Sequence, residues 1–425
     1  MVTGLDGFVH HDSEQGLFVH ETRLLSQYRY LLNDEAFYPV ALSNVEQHSW
    51  VGYYIQVPPE MKHGRSGGSG EVPKKSQHTV ELIVHRQVGE GLHEQLFVTN
   101  FNQTCTSFRL RLNTGADFAD IDELPDKREQ RGELHRTWRR ADTGDWELVF
   151  DYQARHRYSV QGNSGEARLH RGLIIRIEES DSTPYSVDSE ICFDIKLEPQ
   201  ATWRASIDFI PLLEGSASAG EGCLRPLSGH RDEFEAKRQK FFASTSTTET
   251  PSHGTMGPVV IAALERARED LAALRFYDLD TPGGWTFAAG VPSYTALFGR
   301  DTLIAAWQAA MLSPQLLRGT LSELARWQAD SVNLWRDQLP NGMLHEAHTG
   351  PLSVLNYSPR AKYYGTLTTP VFYPTALAEF WRWMGTSAVS RPLLDTAMRG
   401  LKWMEKYARS SRHGFFQYQT SSEQG

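Results

Sequence analysis

The chain has 425 residues, a formal net charge of −9 at pH 7 and 40% hydrophobic residues, so it is long enough for two domains with buried cores. No basic stripe of the kind that neutralises phosphates is present, which argues against nucleic acid as a partner. No run approaches the roughly 18 apolar residues of a membrane span, and the N-terminus lacks a secretory signal. The cysteines, Cys105, Cys192 and Cys223, are widely spaced and form neither a disulfide framework nor a metal motif. We therefore expect a cytoplasmic protein.

Up to about residue 212 the hydrophobic pattern has period two, which is typical of strands with one buried face. Turn residues separate the segments, and V-G-E-G at residues 88–91 indicates a hairpin. The predicted strands cover residues 24–33, 50–57, 82–88, 95–101, 108–112, 146–152, 173–177, 190–197 and 202–210. Many short strands between turns predict an N-terminal antiparallel β-sandwich over residues 1–225.

Three segments of this half do not follow the strand pattern. Residues 61–77 are rich in Gly, Ser and Lys, and residues 117–140 are dense in charge, so both are predicted to be loops. Residues 226–256 are mostly polar and are predicted to be a linker that carries one short helix. The second domain is then expected over residues 257–425.

From Pro258 the hydrophobic period changes to 3.6, which predicts helices. Five are expected: one that starts at Pro258, one after Gly299, one from Pro314 to about Ala329, one over residues 371–384, and one from about Pro392. The connection over residues 330–369 is long, and loops of such length inside a compact domain are usually functional.

The residues after Gly299 are the first candidates for a binding site. Asp301 follows Arg300 where a helix begins, so we expect Asp301 to be its N-cap. Two aromatic residues, Tyr294 and Phe298, precede this pair. Proteins often hold sugars with charged groups that share out the hydroxyls and with rings that cover the apolar face. The alternative is that Asp301 only caps the helix and that the rings belong to the core.

The long connection supplies the other candidates. His345 and Glu346 are adjacent, and Trp335 and Tyr364 are near in sequence. His345 and His348 lack the i, i+4 spacing that metalloproteases use on a helix, so neither a metal nor a cofactor is expected. A carboxylate and an imidazole among aromatic rings fit the binding of sugar hydroxyls. The alternative is a loop stabilised by its own hydrogen bonds.

Several motifs resemble bacterial glycogen-debranching enzymes of the amylo-α-1,6-glucosidase type. In the helical half they are G-V-P-S-Y-T-A-L-F-G-R-D-T-L-I from Gly290, S-P-Q-L-L-R-G-T-L-S-E-L-A-R-W-Q from Ser313, and the short L-H-E and Y-Y-G-T. In the first half they are G-L-F-V-H-E-T-R-L-L-S-Q-Y-R-Y-L-L-N from Gly16 and A-D-F-A-D-I-D-E-L from Ala116. The resemblance covers most of the chain, in the family's order.

The resemblance implies a β-sandwich followed by an (α/α)6 six-hairpin glycosidase barrel, which would be partial here because five helices are expected and the family has about twelve. It implies hydrolysis of α-1,6-glucosidic branch linkages in glycogen or related α-glucans. Arg300 and Asp301 would bind the terminal glucose, and His345, Glu346 and Tyr364 would line the same pocket, with Trp335 beside it. Ser293 and Thr368 depart from the family's motifs, which changes the expected shape of this subsite.

Hydrolysis with inversion needs a general acid and a general base about 6.5–9.5 Å apart. In the family both follow the segment at which this sequence stops, so we expect them beyond Gly425, and a second chain could complete the barrel. Within the sequence, Asp301 and Glu346 are the remaining pair, and Asp301 beside Arg300 suits binding or base chemistry. Two alternatives stay open: a non-catalytic α-glucan-binding protein, and a hydrolase of the same fold that acts on another glycoside.

Overall fold

A computed structural model describes residues 1–56, 80–89, 91–124, 127–188, 190–214, 224–226, 231–247, 257–277, 285–410, 415–416 and 419–422. The chain divides into two compact units, which are described separately below. Unit 1 comprises Met1–Ala154 and Leu169–Phe234, and unit 2 comprises Arg155–Arg168 and Glu235–Gly425. The predicted loop at residues 61–77, Cys223, and residues 227–230 and 248–256 of the predicted linker lie outside the described residues.

Strands form most of the chain up to residue 226. Each segment that the alternating pattern predicts contains a strand, although several strands extend further than predicted. The strands are β1 (Leu17–Val19), β2 (Thr22–Leu25), β3 (Gln27–Leu32), β4 (Glu35–Ala36), β5 (Tyr38–Glu46), β6 (Ser49–Ile55), β7 (Val80–Val88), β8 (Leu92–Asn100), β9 (Thr106–Gly115), β10 (Gly132–Arg140), β11 (Trp146–Val160), β12 (Asn163–Ser180), β13 (Tyr185–Val187), β14 (Glu190–Leu197), β15 (Thr202–Glu214) and β16 (Leu224–Pro226).

Two main sheets give unit 1 a β-sandwich-like architecture. The larger sheet has the order β10-β11-β12-β15-β8-β7-β6-β5, with β16 beside β15, and the smaller has the order β13-β14-β9-β3-β4. Strand β3 shows why the sequence folds this way, because Tyr28, Tyr30 and Leu32 are buried and alternate with half-buried residues. Strands β7 and β8 pair antiparallel, as the predicted hairpin requires.

A buried charge cluster joins the two sheets. Glu94 of β8 is fully buried, and its carboxylate accepts hydrogen bonds from the hydroxyls of Tyr28 and Tyr30 at 2.7 Å and from Arg86 Nε at 2.8 Å. A buried carboxylate is tolerated only when a cation and hydrogen-bond donors surround it. The cluster therefore fixes how the two sheets pack against each other.

The prediction that residues 117–140 form a loop is wrong in part. Residues 132–140 are strand β10, which pairs antiparallel with β11 at the edge of the larger sheet. Residues 121–123 form a 3-10 helix with a capping box. The Asp120 side chain accepts a hydrogen bond from the backbone of the first turn, and the Glu123 side chain accepts one from the backbone N of Asp120. Strand β10 is an edge strand with many exposed charged residues, so its sequence lacks the alternation of apolar and polar residues that marks a strand facing a core.

Unit 2 is mainly helical. Its short strands are β17 (Arg275–Tyr277), β18 (Trp285–Phe287), β19 (Leu297–Phe298) and β20 (Glu346–Ala347). Its helices are α1 (Arg231–Ser244, the start of which belongs to unit 1), α2 (Gly257–Ala273), α3 (Gly299–Gln308), α4 (Gln315–Arg326), α5 (Pro351–Val354), α6 (Thr368–Met384) and α7 (Arg391–Ser410).

The helices expected from the 3.6-residue period are all present, with shifted ends. Helix α4 ends at Arg326, and helix α6 begins at Thr368. Helices α3, α4, α6 and α7 pack around one core, and Phe241 of α1 is buried in it. Leu394, Met398 and Leu401 of α7 remain exposed. Within the described residues, no helix is both long enough and apolar enough to cross a membrane.

Candidate functional site

Helix α3 begins two residues before Asp301. Phe298 is the N-cap residue, with an extended backbone, because it pairs with Glu346 in the antiparallel β19–β20 ladder. No side chain caps the helix, and Asp301 lies in its first turn. The prediction that Asp301 is the N-cap is therefore wrong, since tertiary strand pairing sets the helix start. The Asp301 carboxylate still lies at the positive end of the helix dipole.

The backbone at residue 299 packs so closely against a neighbouring segment that a glycine must precede the Arg300–Asp301 pair. The backbone N of Gly299 donates to His345 O at 2.8 Å, which joins the start of α3 to the β20 segment. A Cβ at this position would lie 2.2 Å from Leu344 O and 2.9 Å from the Thr369 side chain. Only glycine allows such a close backbone approach. The charged residues after Gly299 are thus held beside His345 and Glu346.

Arg300 and Asp301 are accessible charged residues at the start of α3. Arg300 Nε lies 3.5 Å from the Asp301 carboxylate, and the two side chains are 46% and 39% exposed. A partly exposed ion pair at this distance adds little stability. Both groups therefore keep hydrogen-bonding capacity that a polar ligand can use.

His345 contributes an unsatisfied buried atom. Its ring Nδ1 has no hydrogen-bond partner within the described part of the chain, although its backbone N donates to Tyr363 O at 2.8 Å. Burial lowers the pKa of His345 below its ordinary value of 6.5, the nearby charge of Glu346 opposes this, and the charge of Arg300 adds to it. The imidazole is therefore neutral at pH 7. A buried polar atom without a partner is uncommon and marks a place where a ligand atom could bind.

Glu346 is held as an anion. Its Oε2 lies 3.2 Å from His348 Nε2, and its Oε1 lies 3.5 Å from Arg360 Nε. Burial by itself raises the pKa of Glu346, but the hydrogen bond from His348 and the charges of His348 and Arg360 outweigh burial and lower it. A general acid at neutral pH needs a raised pKa. The geometry therefore favours Glu346 as an acceptor of hydrogen bonds.

Aromatic rings lie next to these polar groups. The Phe298 ring meets the edge of the His348 ring at 5.5 Å and the Tyr294 ring at 6.0 Å. Tyr294 is 61% exposed, and reciprocal backbone hydrogen bonds between Gly290 and Tyr294, both 2.9 Å, close the loop that carries it. An exposed ring on a closed loop is suited to cover the apolar face of a sugar.

Two predicted site residues, Trp335 and Tyr364, are buried instead. Trp335 is 2% exposed, and its Nε1 donates to Asn356 Oδ1 at 3.3 Å. Tyr364 is 7% exposed, and its hydroxyl donates to Trp327 O at 2.9 Å. Burial raises the pKa of Tyr364. Both side chains thus make their polar contacts inside unit 2.

Asp337 has a structural role that the sequence did not indicate. Its carboxylate accepts hydrogen bonds from the Tyr363 hydroxyl and the Thr420 hydroxyl, both at 2.7 Å, and from the backbone N of Ser421 and Ser422. Tyr363 in turn pairs with Glu346 through the backbone. Asp337 therefore anchors the strand beside the candidate site, and its lone pairs are already used.

The two motifs of the first half contact each other. Arg23 donates to both carboxylate oxygens of Asp117, at 3.1 Å and 2.5 Å, and its backbone N donates to Ala119 O at 2.8 Å. The backbone N of Ile121 donates to Glu21 O at 3.0 Å. These motifs are thus explained by folding within unit 1.

Two cavities lie away from the candidate site. One, of about 520 Å³, is lined in unit 1 by residues that include Asn33 and Arg109, and the other, of about 460 Å³, is lined in unit 2 by residues that include Arg326 and Arg399. Arg300, Asp301, His345 and Glu346 line neither of them.

The solved structures that align with this chain have low similarity to it, both in sequence and in fold. A protein described as a kojibiose phosphorylase from the human microbiome aligns with a TM-score of 0.47 and 9% identity, over 85% of this chain and 46% of its own length. A galactose mutarotase-like protein from Clostridium acetobutylicum aligns with a TM-score of 0.21 and 7% identity, over 43% of this chain and 68% of its own. A polysaccharide lyase aligns with a TM-score of 0.19 and 9% identity, over 87% and 61% of the two chains. The chain thus spans less than half the length of the kojibiose phosphorylase.

Sequence comparison is informative for the first half. Among curated proteins, no sequence matches the chain. Residues 1–208 match the family described as the N-terminal domain of (some) glycogen debranching enzymes. The resemblance expected from the sequence is therefore confirmed for residues 1–208, which are similar to this family of N-terminal domains.

Proposed function

We propose that Arg300, Asp301, His345 and Glu346 bind a terminal glucosyl unit of an α-glucan, in a protein that takes part in hydrolysis of α-1,6-glucosidic branch linkages. The observation that supports this most is the β19–β20 ladder, which brings the Arg-Asp pair to the segment that carries the unpartnered His345 Nδ1. The family of residues 1–208 supports a carbohydrate as the substrate class.

Each group has a role that follows from its chemistry. The Asp301 carboxylate accepts hydrogen bonds from vicinal hydroxyls, and the Arg300 guanidinium donates to their oxygens. The neutral His345 ring offers one further donor or acceptor at Nδ1, and the Glu346 anion accepts from a hydroxyl. Tyr294 and Phe298 cover the C–H face of the sugar ring.

Proton transfer belongs to other groups in this proposal. Inversion needs one protonated carboxyl group and one carboxylate on opposite sides of the sugar. The lowered pKa of Glu346 leaves it ionised, which is unsuited to general acid catalysis. We propose that the helices of unit 2 form part of an (α/α)6 barrel, in which other residues supply the acid and the base.

A second candidate is a non-catalytic α-glucan-binding protein. It is favoured by the engagement of Glu346 with both His348 and Arg360, which suits a binding group more than a catalytic one. The two candidates share the binding surface and differ only in turnover.

Calorimetric titration of the full chain with panose, a trisaccharide that contains one α-1,6 bond, tests the binding surface. Asp301→Asn removes the charge without changing the shape, and hydrogen bonds to charged groups contribute about 1.5–3 kcal/mol, so affinity should fall roughly 10- to 150-fold. Asp395→Asn is the matched control, since Asp395 forms a similar exposed ion pair with Arg391 on α7. Panose affinity should be unchanged in this control.

A branched dextrin assay then separates the two candidates. Release of glucose that depends on Asp301 supports the debranching role, and binding without release supports the non-catalytic role. Equal panose affinity in Asp301→Asn and the unmodified chain would refute both.

A further inference from the structure

We propose that His93, Glu178 and Asp208 form a site for a divalent transition-metal ion, with Zn²⁺ as the preferred ion, on the outward face of the larger sheet. The three residues lie on the adjacent strands β8, β12 and β15. They are far from one another in sequence, with His93 and Asp208 115 positions apart, so their spacing gives no motif. The site lies in unit 1, whereas the glucan-binding proposal concerns unit 2.

Strand register and a bulge bring the three side chains together. Asp208 pairs directly with His93 across β15 and β8. The pairing of β12 with β15 shifts between Ile177 and Glu179, so Glu178 sits at a β-bulge. Arg176 pairs with Asp208, and Glu178 lies two residues further along β12, so strand alternation places Glu178 on the face that holds Asp208. One ligand atom from each residue lies within 4.8 Å of the others.

The donor set combines an imidazole with two carboxylates, which are ligand types that bind Zn²⁺. His93 Nδ1 and Asp208 Oδ1 are 2.5 Å apart, and a second carboxylate, that of Glu178, lies beside them. The neighbouring cation Arg176 is engaged by Glu147, with contacts of 2.9 Å and 2.8 Å. Two carboxylates and one imidazole therefore offer three ligand atoms to a single cation.

The identity of the ion follows from the ligand types. An imidazole nitrogen with carboxylate oxygens suits Zn²⁺ and related ions, whereas Ca²⁺ and Mg²⁺ prefer oxygen ligands alone. With metal–ligand bonds of about 2.0–2.1 Å, tetrahedral ligands stand roughly 3.3 Å apart. His93 and Asp208 would separate by less than about 1 Å to exchange their hydrogen bond for two metal bonds.

The strand backbones are held rigidly and the ligand side chains are partly exposed, and both features suit a metal site. Strands β12, β15 and β8 are central in the larger sheet, so their backbones hold the ligands in place. The side chains of His93 and Asp208 are 31% and 23% exposed, which leaves a path for the ion. The ion would bridge three strands and stabilise unit 1 by linkage, because it binds the folded form.

The same sheet offers a matched control. His170 Nε2 lies 2.8 Å from Asp151 Oδ1 on the neighbouring strands β12 and β11. Neither residue belongs to the three-ligand group. This pair provides a histidine–carboxylate contact of the same kind without a third ligand.

Titration of the full, untagged, chelator-treated chain with Zn²⁺, and separately with Ca²⁺, tests the proposal by calorimetry. We expect saturable binding of Zn²⁺, an affinity lower by about tenfold or more in Glu178→Gln and in Asp208→Asn, and no change in His170→Ala. Co²⁺ should give the visible absorption bands of a low-symmetry site in the unmodified chain and lose them in Glu178→Gln.

Melting curves without metal establish that each variant is folded, and Glu178→Gln alters an exposed residue, so its fold should be intact. Absence of saturable Zn²⁺ binding would overturn the proposal. So would Zn²⁺ binding that both ligand variants leave unchanged, or that His170→Ala weakens equally, since either would indicate adventitious surface histidines. Tighter binding of Ca²⁺ than of Zn²⁺ would overturn the assigned ion class.

Discussion

Replacement of Gly299 by alanine should disrupt the junction between α3 and the β20 segment. The added methyl group would lie 2.2 Å from the backbone oxygen of Leu344, where ordinary contacts begin at 3.4 Å. Backbone must therefore move by about 1 Å, since a carbonyl oxygen cannot rotate away as a side chain can. The hydrogen bond from Gly299 N to His345 O, 2.8 Å long, would lengthen in the same movement.

The two effects can be added to give a magnitude. Overpacking at a tight contact costs about 1–3 kcal/mol, and loss of the hydrogen bond costs about 0.5–1.5 kcal/mol more. We expect Gly299→Ala to lower the free energy of unfolding of unit 2 by about 1.5–4.5 kcal/mol. For a unit of this size each kcal/mol corresponds to roughly 2–4 °C, so the melting temperature should fall by about 3–18 °C.

Scanning calorimetry of the full chain measures this change, with Gly400→Ala as the control. Gly400 lies inside helix α7, and a Cβ there would meet nothing within 4 Å. Alanine in an open helix position should raise stability by about 0.4–1 kcal/mol, so the two variants should shift the melting temperature in opposite directions. A Gly299→Ala variant as stable as the unmodified chain would refute the assigned contact.

Two further predictions concern buried charge. Glu94→Gln breaks the buried pair with Arg86 and should cost unit 1 about 3 kcal/mol, a fall of roughly 6–12 °C by calorimetry; an unchanged melting temperature would contradict the role of the cluster. The folded pKa of His345 lies below 6.5, so the unfolded chain binds more protons and stability should decrease as the pH falls from above 6.5 through that folded pKa. His345→Gln should remove this part of the pH dependence in melting curves at pH 5–8, and an identical pH profile would count against it.

Local patterns predicted most of the regular structure. Alternating burial in β3 and the 3.6-residue period in α7 follow directly from side-chain periodicity, which depends only on neighbours in sequence. Strand β10 was missed because most of its residues are polar and exposed, with only Leu134 and Trp138 half-buried, so the pairing with β11 is a tertiary feature that the local pattern does not reveal.

The candidate site was predicted in part. The sequence indicated Arg300, Asp301, His345 and Glu346, and the β19–β20 ladder brings the two segments together. It could not indicate where α3 begins, because Phe298 takes an extended backbone only when it pairs with Glu346. Burial of an aromatic residue also depends on packing by distant segments.

The features that the sequence did not predict depend on contacts between residues that are far apart in the chain. Asp337 gains its role from Tyr363 and from residues 420–422, more than 80 positions away. The His93–Asp208 contact depends on strand order in the larger sheet. Neither contact has a local signature, because the interacting atoms meet only after the chain has folded.

A crystal structure of the chain with bound panose would test the central claim most directly. We expect hydroxyl groups of one glucosyl unit to lie about 2.6–3.1 Å from the Asp301 carboxylate and the Arg300 guanidinium, with a sugar atom within reach of His345 Nδ1. A sugar bound elsewhere on the chain, with Arg300 and Asp301 left without contact, would contradict it.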